Sequence, residues 1–245
     1  MIEVSHLTKK YGNHVAVDDL SFCVEEGQIY GFLGPNGAGK STTMNMLTGY
    51  LGATSGEIKI DGHDIYKEPE EAKRNIGYLP ELPPVYDTMT VKEYLAFVAE
   101  LKKIDKKERR KQIGEVMELT KITSMQDRLI QNLSKGYKQR VGIARAIMQE
   151  PKLILCDEPI ASLDPKASKT IMDHLAQINQ TRKITCIVNL HQVDVAMKYS
   201  QRILGIAAGK LVFDGTPSEL TQEKIHEIYQ SNAQDLMLDM QGEAV

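Results

Sequence analysis

Residues 31–47, GFLGPNGAGKSTTMNML, constrain this chain more than any other segment, because three glycines crowd the junction between an apolar run and a stretch that reads as helix. Ahead of it, LSFCVEEGQIYGFLG at 20–34 alternates and then condenses into an apolar run, which predicts two short strands separated by the turn pair Glu26-Gly27. The second strand leads straight into Gly34, Pro35, Asn36, Gly37, Ala38, Gly39, Lys40 and Ser41, followed by Thr42, and this segment satisfies G-x-x-x-x-G-K-[ST]. Between a strand and a helix, that spacing is a strong match to a phosphate-binding loop. Gly37 and Gly39 let backbone N–H groups converge on phosphates, Lys40 supplies charge to the outer ones, and the Ser41 hydroxyl suits Mg²⁺. A glycine-rich turn with no ligand does not explain why Lys and Ser arrive together at the helix start.

A Mg-nucleotide site also needs a carboxylate at the end of a neighbouring strand. The segment LILCDE at 153–158 is a buried apolar strand that ends in Asp157 and Glu158. Asp157 suits the metal, while Glu158 stands where it could orient and deprotonate an attacking water. An acidic pair at a strand end is often only a solubilising edge, but the phosphate loop raises the chemical reading above that one.

The remaining pattern frames these residues in an α/β fold. GEIKIDGHDI reads as a hairpin about Asp61-Gly62, and NIGYLP as a strand stopped by Pro80. From Pro83-Pro84 the character changes. Thr90-Val91-Lys92-Glu93 is a capping box followed by Val91, Leu95, Val98 and Leu101 at helical spacing, and Ile113, Val116, Met117 and Thr120 continue a second helix. Residues 82 to about 150 are thus predicted to be a helical insert. Then come KLILCDE, a helix with Ile171, Leu175 and Ile178 on one face, the strand KITCIVNLH, the helical QVDVAMKYS, and a hairpin about Ala208-Gly209. Apolar strands alternating with helices predict a mostly parallel sheet covered on both faces, joined by an antiparallel β subdomain. Residues 1–231 read as one domain, and 232–245, with three acids and no bases, as a frayed tail.

Composition excludes several classes. At 245 residues and 42% apolar, the chain buries a substantial core. No run approaches the roughly 18 to 20 apolar residues of a membrane helix, and MIEVSHLTKKYG lacks the pattern of a secretory signal, so the chain is expected in the cytoplasm. Cys23, Cys156 and Cys186 are widely spaced and are expected to be buried thiols. The net charge of −3 argues against a general nucleic-acid binder.

One further segment, LSKGYKQRVGIAR at 133–145, is a short polar loop running into a basic helix, with Ser134 as a plausible N-cap and Gly136 giving the backbone freedom. Taken alone, it is a capped helix with a solvated face.

With these motifs in order, the chain resembles the nucleotide-binding subunit of an ATP-binding-cassette (ABC) transporter over almost its whole length. Leu133-Ser134-Lys135-Gly136-Tyr137 stands where that family carries L-S-G-G-Q, Ser162-Leu163-Asp164-Pro165 looks like the loop linking two catalytic sites, and His191 looks like the switch histidine. Tyr11 matches the aromatic that stacks on adenine. The resemblance implies a P-loop NTPase core that binds ATP and Mg²⁺, with Lys40, Glu158 and His191 catalytic and Ser41 and Asp157 on the metal. It also implies two copies sandwiching two ATPs, the Ser134–Gly136 motif of each closing over the nucleotide of the other. A separate integral-membrane permease would place the pair at the cytoplasmic face of the membrane, with no nucleic acid involved.

Three positions in two motifs depart from the family pattern. Glu81 replaces a Gln that reaches the metal or water and faces the permease, and Lys135 and Tyr137 replace Gly and Gln in the signature, where side chains narrow a loop's backbone freedom. Subfamily features divide. GFLGPNGAGKSTTMNMLTGYLGATSGE, GYLPE and LSKGYKQR resemble ATPases of ABC-2-type exporters, whereas DEPIASLDP, NLHQVDVAMKYS and LVFDGTPSEL resemble ATPases of phosphonate importers. Two other classes compete: a soluble ABC protein acting on DNA or ribosomes, which usually carries paired cassettes or long coiled coils, and a regulatory module that binds ATP with little turnover.

Overall fold

The computed structural model describes residues 2–229, so the predicted tail at 232–245 lies outside the described residues. The chain runs β1 (Ile2–Tyr11), β2 (His14–Val24), β3 (Ile29–Leu33), α1 (Lys40–Leu47), β4 (Ser55–Ile60), β5 (His63–Asp64), α2 (Pro69–Arg74) and β6 (Ile76–Leu79). It continues through α3 (Val91–Leu101), α4 (Lys106–Leu119), α5 (Lys135–Ile147), β7 (Leu153–Asp157), α6 (Pro165–Arg182), β8 (Thr185–Leu190), α7 (Val193–Tyr199), β9 (Arg202–Ala207), β10 (Lys210–Gly215) and α8 (Gln222–Ile228).

Two sheets form. One is antiparallel, in the order β2-β1-β4-β5; the other follows β10-β9-β3-β8-β7-β6 and is parallel except at the β9–β10 hairpin. Side chains of the parallel strands alternate between two cores. Ile29, Leu33, Ile154, Cys156, Val188 and Leu190 face the core built with α3 to α6, whereas Tyr30, Phe32, Leu155 and Ile187 face the core shared with α1 and the antiparallel sheet. Both faces are therefore dry, which is why these strands read as unbroken apolar runs. No helix among the described residues is long and apolar enough to cross a membrane.

Local signals come through directly. Both expected hairpins close on paired residues with positive φ, Asp61 and Gly62 at 53° and 84° and Ala208 and Gly209 at 48° and 80°, the conformation that suits the right-handed twist of flanking strands. The Thr90 hydroxyl accepts from the Glu93 N–H at 3.2 Å, and the Glu93 carboxylate accepts from the Thr90 N–H at 2.8 Å, completing the capping box of α3. Between β6 and β7 the chain forms α3, α4, α5 and two short 3-10 turns.

Four expectations change. The sequence pattern predicts no strand over Ile2–Tyr11, because register shifts after Val4, Leu7 and Lys9 break the alternation of β1. Leu101 is 63% exposed rather than core, since α3 ends at that residue and the chain turns away through Lys103 at φ 55°. Cys23 is exposed, on the outward face of β2 between buried Phe22 and Val24, while Cys156 and Cys186 are buried as expected; all three are free thiols. The acidic strand β7 is not the immediate neighbour of β3, because β8 lies between them.

Candidate active site

The register of three strands creates the site. Leu33 at the end of β3 pairs with Leu190, near the end of β8, and Asp157 at the end of β7 pairs with Asn189. The carboxyl ends of β3, β8 and β7 thus emerge at one edge of the sheet, where ligands of open parallel sheets bind.

The glycine-rich turn after β3 is pressed between β2 and the β9–β10 hairpin. Gly39 has φ 101°, and a Cβ there would stand 2.5 Å from the Ala16 carbonyl oxygen; at Gly34 it would stand 2.1 Å from that of Ile206. The Gly209 N–H donates to the Ala38 carbonyl at 3.0 Å and fixes the turn from outside. Among the described residues, no internal acceptor meets the backbone N–H groups of Gly37, Gly39, Lys40, Ser41 or Thr42. Asn36 is exposed and Pro35 half-buried on the outer side of this cradle. A ring of unpaired N–H groups at the start of α1 is complementary to phosphate oxygens.

Lys40 is only 4% exposed, and its ammonium donates to the carbonyls of Gly34 at 2.6 Å and Pro35 at 2.9 Å. Burial pushes its pKa down to about 8, with Glu158 and Asp157 pulling the other way. A desolvated cation held against the loop gains strongly from an arriving polyanion.

The metal ligands expected from the sequence meet. The Ser41 hydroxyl, in the first turn of α1, donates to Asp157 Oδ1 at 3.2 Å, although β8 separates β7 from the β3 strand that leads into α1. Asn189, the only polar side chain in CIVNL at 186–190, donates to the same Oδ1 at 2.6 Å. Oxygen donors of this kind suit Mg²⁺, which keeps waters and substrate phosphates as its other ligands. Glu158 sits at φ 49°, a left-handed turn directly after β7, and its Oε1 lies 2.6 Å from His191 Nε2.

Asn189 was legible only as a lone polar residue in an apolar strand. Tyr229, whose hydroxyl donates to the His191 carbonyl at 3.0 Å from 38 residues away, left no signal in the sequence.

Four candidate residues stand apart. Tyr11, 50% exposed, ends β1 with the Lys9 ammonium 5.1 Å from its ring centroid. Glu81 is exposed after β6, and only its backbone carbonyl is engaged, by Gln139 Nε2 at 2.7 Å. Ser134 N-caps α5, accepting from the Tyr137 N–H, and Gly136 lies in the first turn with the Ala167 side chain 3.5 Å from where its Cβ would be. Lys135 and Tyr137 therefore have helical backbone, and the narrowing of a loop's freedom anticipated for them does not arise. Three of the four basic residues of α5 are engaged within the chain: Lys138 pairs with Asp87 at 2.8 Å, Arg140 lies 4.7 Å over the Tyr137 ring, and Arg145 donates to the Tyr78 carbonyl at 3.2 Å. Asp164 N-caps α6 through the Ala167 N–H at 2.9 Å.

Comparison with known proteins gives a consistent picture. A family model described as ABC transporter matches residues 17–161. The phosphonates import ATP-binding protein PhnC of Rhizobium johnstonii is 37% identical over 241 residues, covering 94% of this chain and 86% of that protein. The structure of cbiO1 from Clostridium perfringens, part of the ABC transporter complex cbiONQ, superposes with a TM-score of 0.84 at 27% identity, covering 98% of both chains. A dimeric ATP-binding cassette in a post-hydrolysis state, bound to ADP and Pi, superposes with a TM-score of 0.78 at 27% identity, covering 89% of this chain and 99% of that one.

Proposed function

Because this chain belongs to the ABC transporter family as an ATP-binding, ATP-hydrolysing subunit, we propose that it powers a separate membrane permease for uptake of phosphonates or chemically similar anions. The single observation that carries the site is the meeting of Ser41 and Asp157 at 3.2 Å, beside the loop that holds Lys40. The cargo rests on the 37% identity to a phosphonates import protein.

In this reading, residues 1–231 form one ATPase domain with 82–150 as its helical subdomain and 232–245 as a tail. The backbone from Gly34 to Thr42 cradles phosphates, and Lys40 exchanges its two carbonyl partners for phosphate oxygens. Ser41 and Asp157 would hold Mg²⁺, which would supply neutralising charge at the phosphates. Glu158 accepts the proton of the attacking water, and His191 holds that carboxylate in place. Tyr11 supplies a ring for the base. Glu81, Ser134 and Gly136 lack partners in the site of their own chain, so Ser134 and Gly136 act on the nucleotide of a second subunit, and Glu81 faces the permease. Homodimeric cassettes on the cytoplasmic face of the membrane follow from this arrangement.

Glu158→Gln tests the reading. ATP binding should persist, turnover should fall by about 10²- to 10⁴-fold, and a dimer with bound ATP should accumulate on size exclusion. Turnover at the wild-type rate would remove Glu158 as the base. Stimulation of wild-type ATPase by the co-purified permease, and phosphonate uptake by the reconstituted complex, test the cargo; stimulation by nucleic acid instead would point to a soluble ABC protein.

A further inference from the structure

Tyr229 follows α8 directly and is 5% exposed. Its neighbour Ile228 is fully buried against Gly205 of β9, where a Cβ would stand 2.5 Å from Ile228 Cδ1, so α8 is seated on the strand beside β3. From there the Tyr229 hydroxyl donates to the His191 backbone carbonyl at 3.0 Å. Burial pushes the phenol upward. The hydroxyl therefore holds the backbone of the residue whose ring meets Glu158.

Packing does not require that oxygen, since a phenyl ring fills the same space. A buried hydroxyl has no water to fall back on, so its hydrogen bond is fixed by position. Leu33 and Leu190, which precede Gly34 and His191, are paired across β3 and β8. Beyond that pair the chain after β8 leaves the sheet, and Tyr229 holds its first residue.

We infer that Tyr229 is a positioning residue for ATP hydrolysis: its hydroxyl anchors the His191 backbone, so that the imidazole stays on Glu158. The inference rests on the ATP site proposed above. It also makes the carboxyl-terminal end of the domain part of the catalytic geometry, although it lies far from every motif in sequence.

Tyr229→Phe removes only the hydroxyl. The loss of one buried hydrogen bond predicts a kcat about two- to ten-fold lower, with KM for ATP essentially unchanged. In the nucleotide-free protein, amide exchange should accelerate across residues 190–192 and stay unchanged in β6. In a His191→Ala background, under single-turnover conditions, Tyr229→Phe should cause no further loss, because the group it positions is gone. An equal additional loss in that background, or a lowered melting temperature with uniform acceleration of exchange, would show a merely structural hydroxyl and overturn the inference while leaving the ATP site intact. A wild-type chain that binds no ATP overturns the site reading itself, and this inference with it.

Discussion

His191 Nε2 lies 2.6 Å from Glu158 Oε1, a contact between residues that follow two adjacent strands, β8 and β7. Each residue stands just past its strand, so the contact depends on register rather than on sequence separation. His191→Ala leaves the Glu158 carboxylate without its partner. Misplacement of a catalytic group predicts a drop in kcat of about 10²-fold, with nucleotide binding retained, as read by steady-state ATPase and equilibrium binding.

Asn189 predicts a different phenotype. Its amide bonds Asp157 Oδ1, and its own buried Oδ1 has no partner. Asn189→Leu removes the outer support of the carboxylate proposed for Mg²⁺, so the Mg²⁺ concentration needed for half-maximal ATPase should rise about 10-fold or more. Stability should hold or improve, because an unsatisfied acceptor leaves the core. A Mg²⁺ titration beside a thermal melt separates the two effects.

Lys40 carries a pH signature. Its pKa lies at about 8 in the folded chain against the ordinary lysine value of 10.5. Between these values the unfolded chain binds a proton that the folded chain has shed, so the contribution of Lys40 to stability rises as pH climbs from about 8 to 10.5. Wild type should therefore gain on Lys40→Met across that window. Lys102, also pushed to about 8 by burial and by Arg145, is present in both proteins and cancels. Denaturant melts at pH 7, 8.5 and 10 give the difference, and a difference independent of pH would refute the shift.

Gly39→Ala tests the cradle. At φ 101°, with the Ala16 carbonyl 2.5 Å from the new Cβ, the residue is strained by its backbone and blocked by a neighbouring backbone atom. The cost should be at least about 2 kcal/mol, seen as a lowered melting temperature, together with lost nucleotide binding. Gly37→Ala, with open space around its Cβ at φ 78°, should lose less stability than Gly39→Ala.

What was legible before the structure shares one property: the interacting groups lie within a few residues of each other. The phosphate loop, the Thr90 capping box, the Ser134 cap and the two hairpins are of this kind, and the model places each where the pattern predicts. Where a second element decides the outcome, the pattern falls short. Leu101 keeps helical spacing with Val98 but has no covering element, and β1 loses its alternation to bulges set by pairing with β2 and β4. Cys23 differs from Cys156 and Cys186 only in whether a layer covers its face of the sheet.

The sequence by itself determined the chemistry of the chain: a phosphate cradle with its lysine and serine, an acidic strand end, a histidine closing an apolar strand, and helices and turns marked by their caps. Tertiary structure alone decided how these pieces meet. It placed β8 between β3 and β7, so that Asn189 reaches Asp157 and His191 reaches Glu158, and it brought Tyr229 from after α8 to the backbone of His191. The physical reason is that side-chain identity and spacing encode local backbone preference, whereas strand order and register are set by how two buried cores close around a shared sheet.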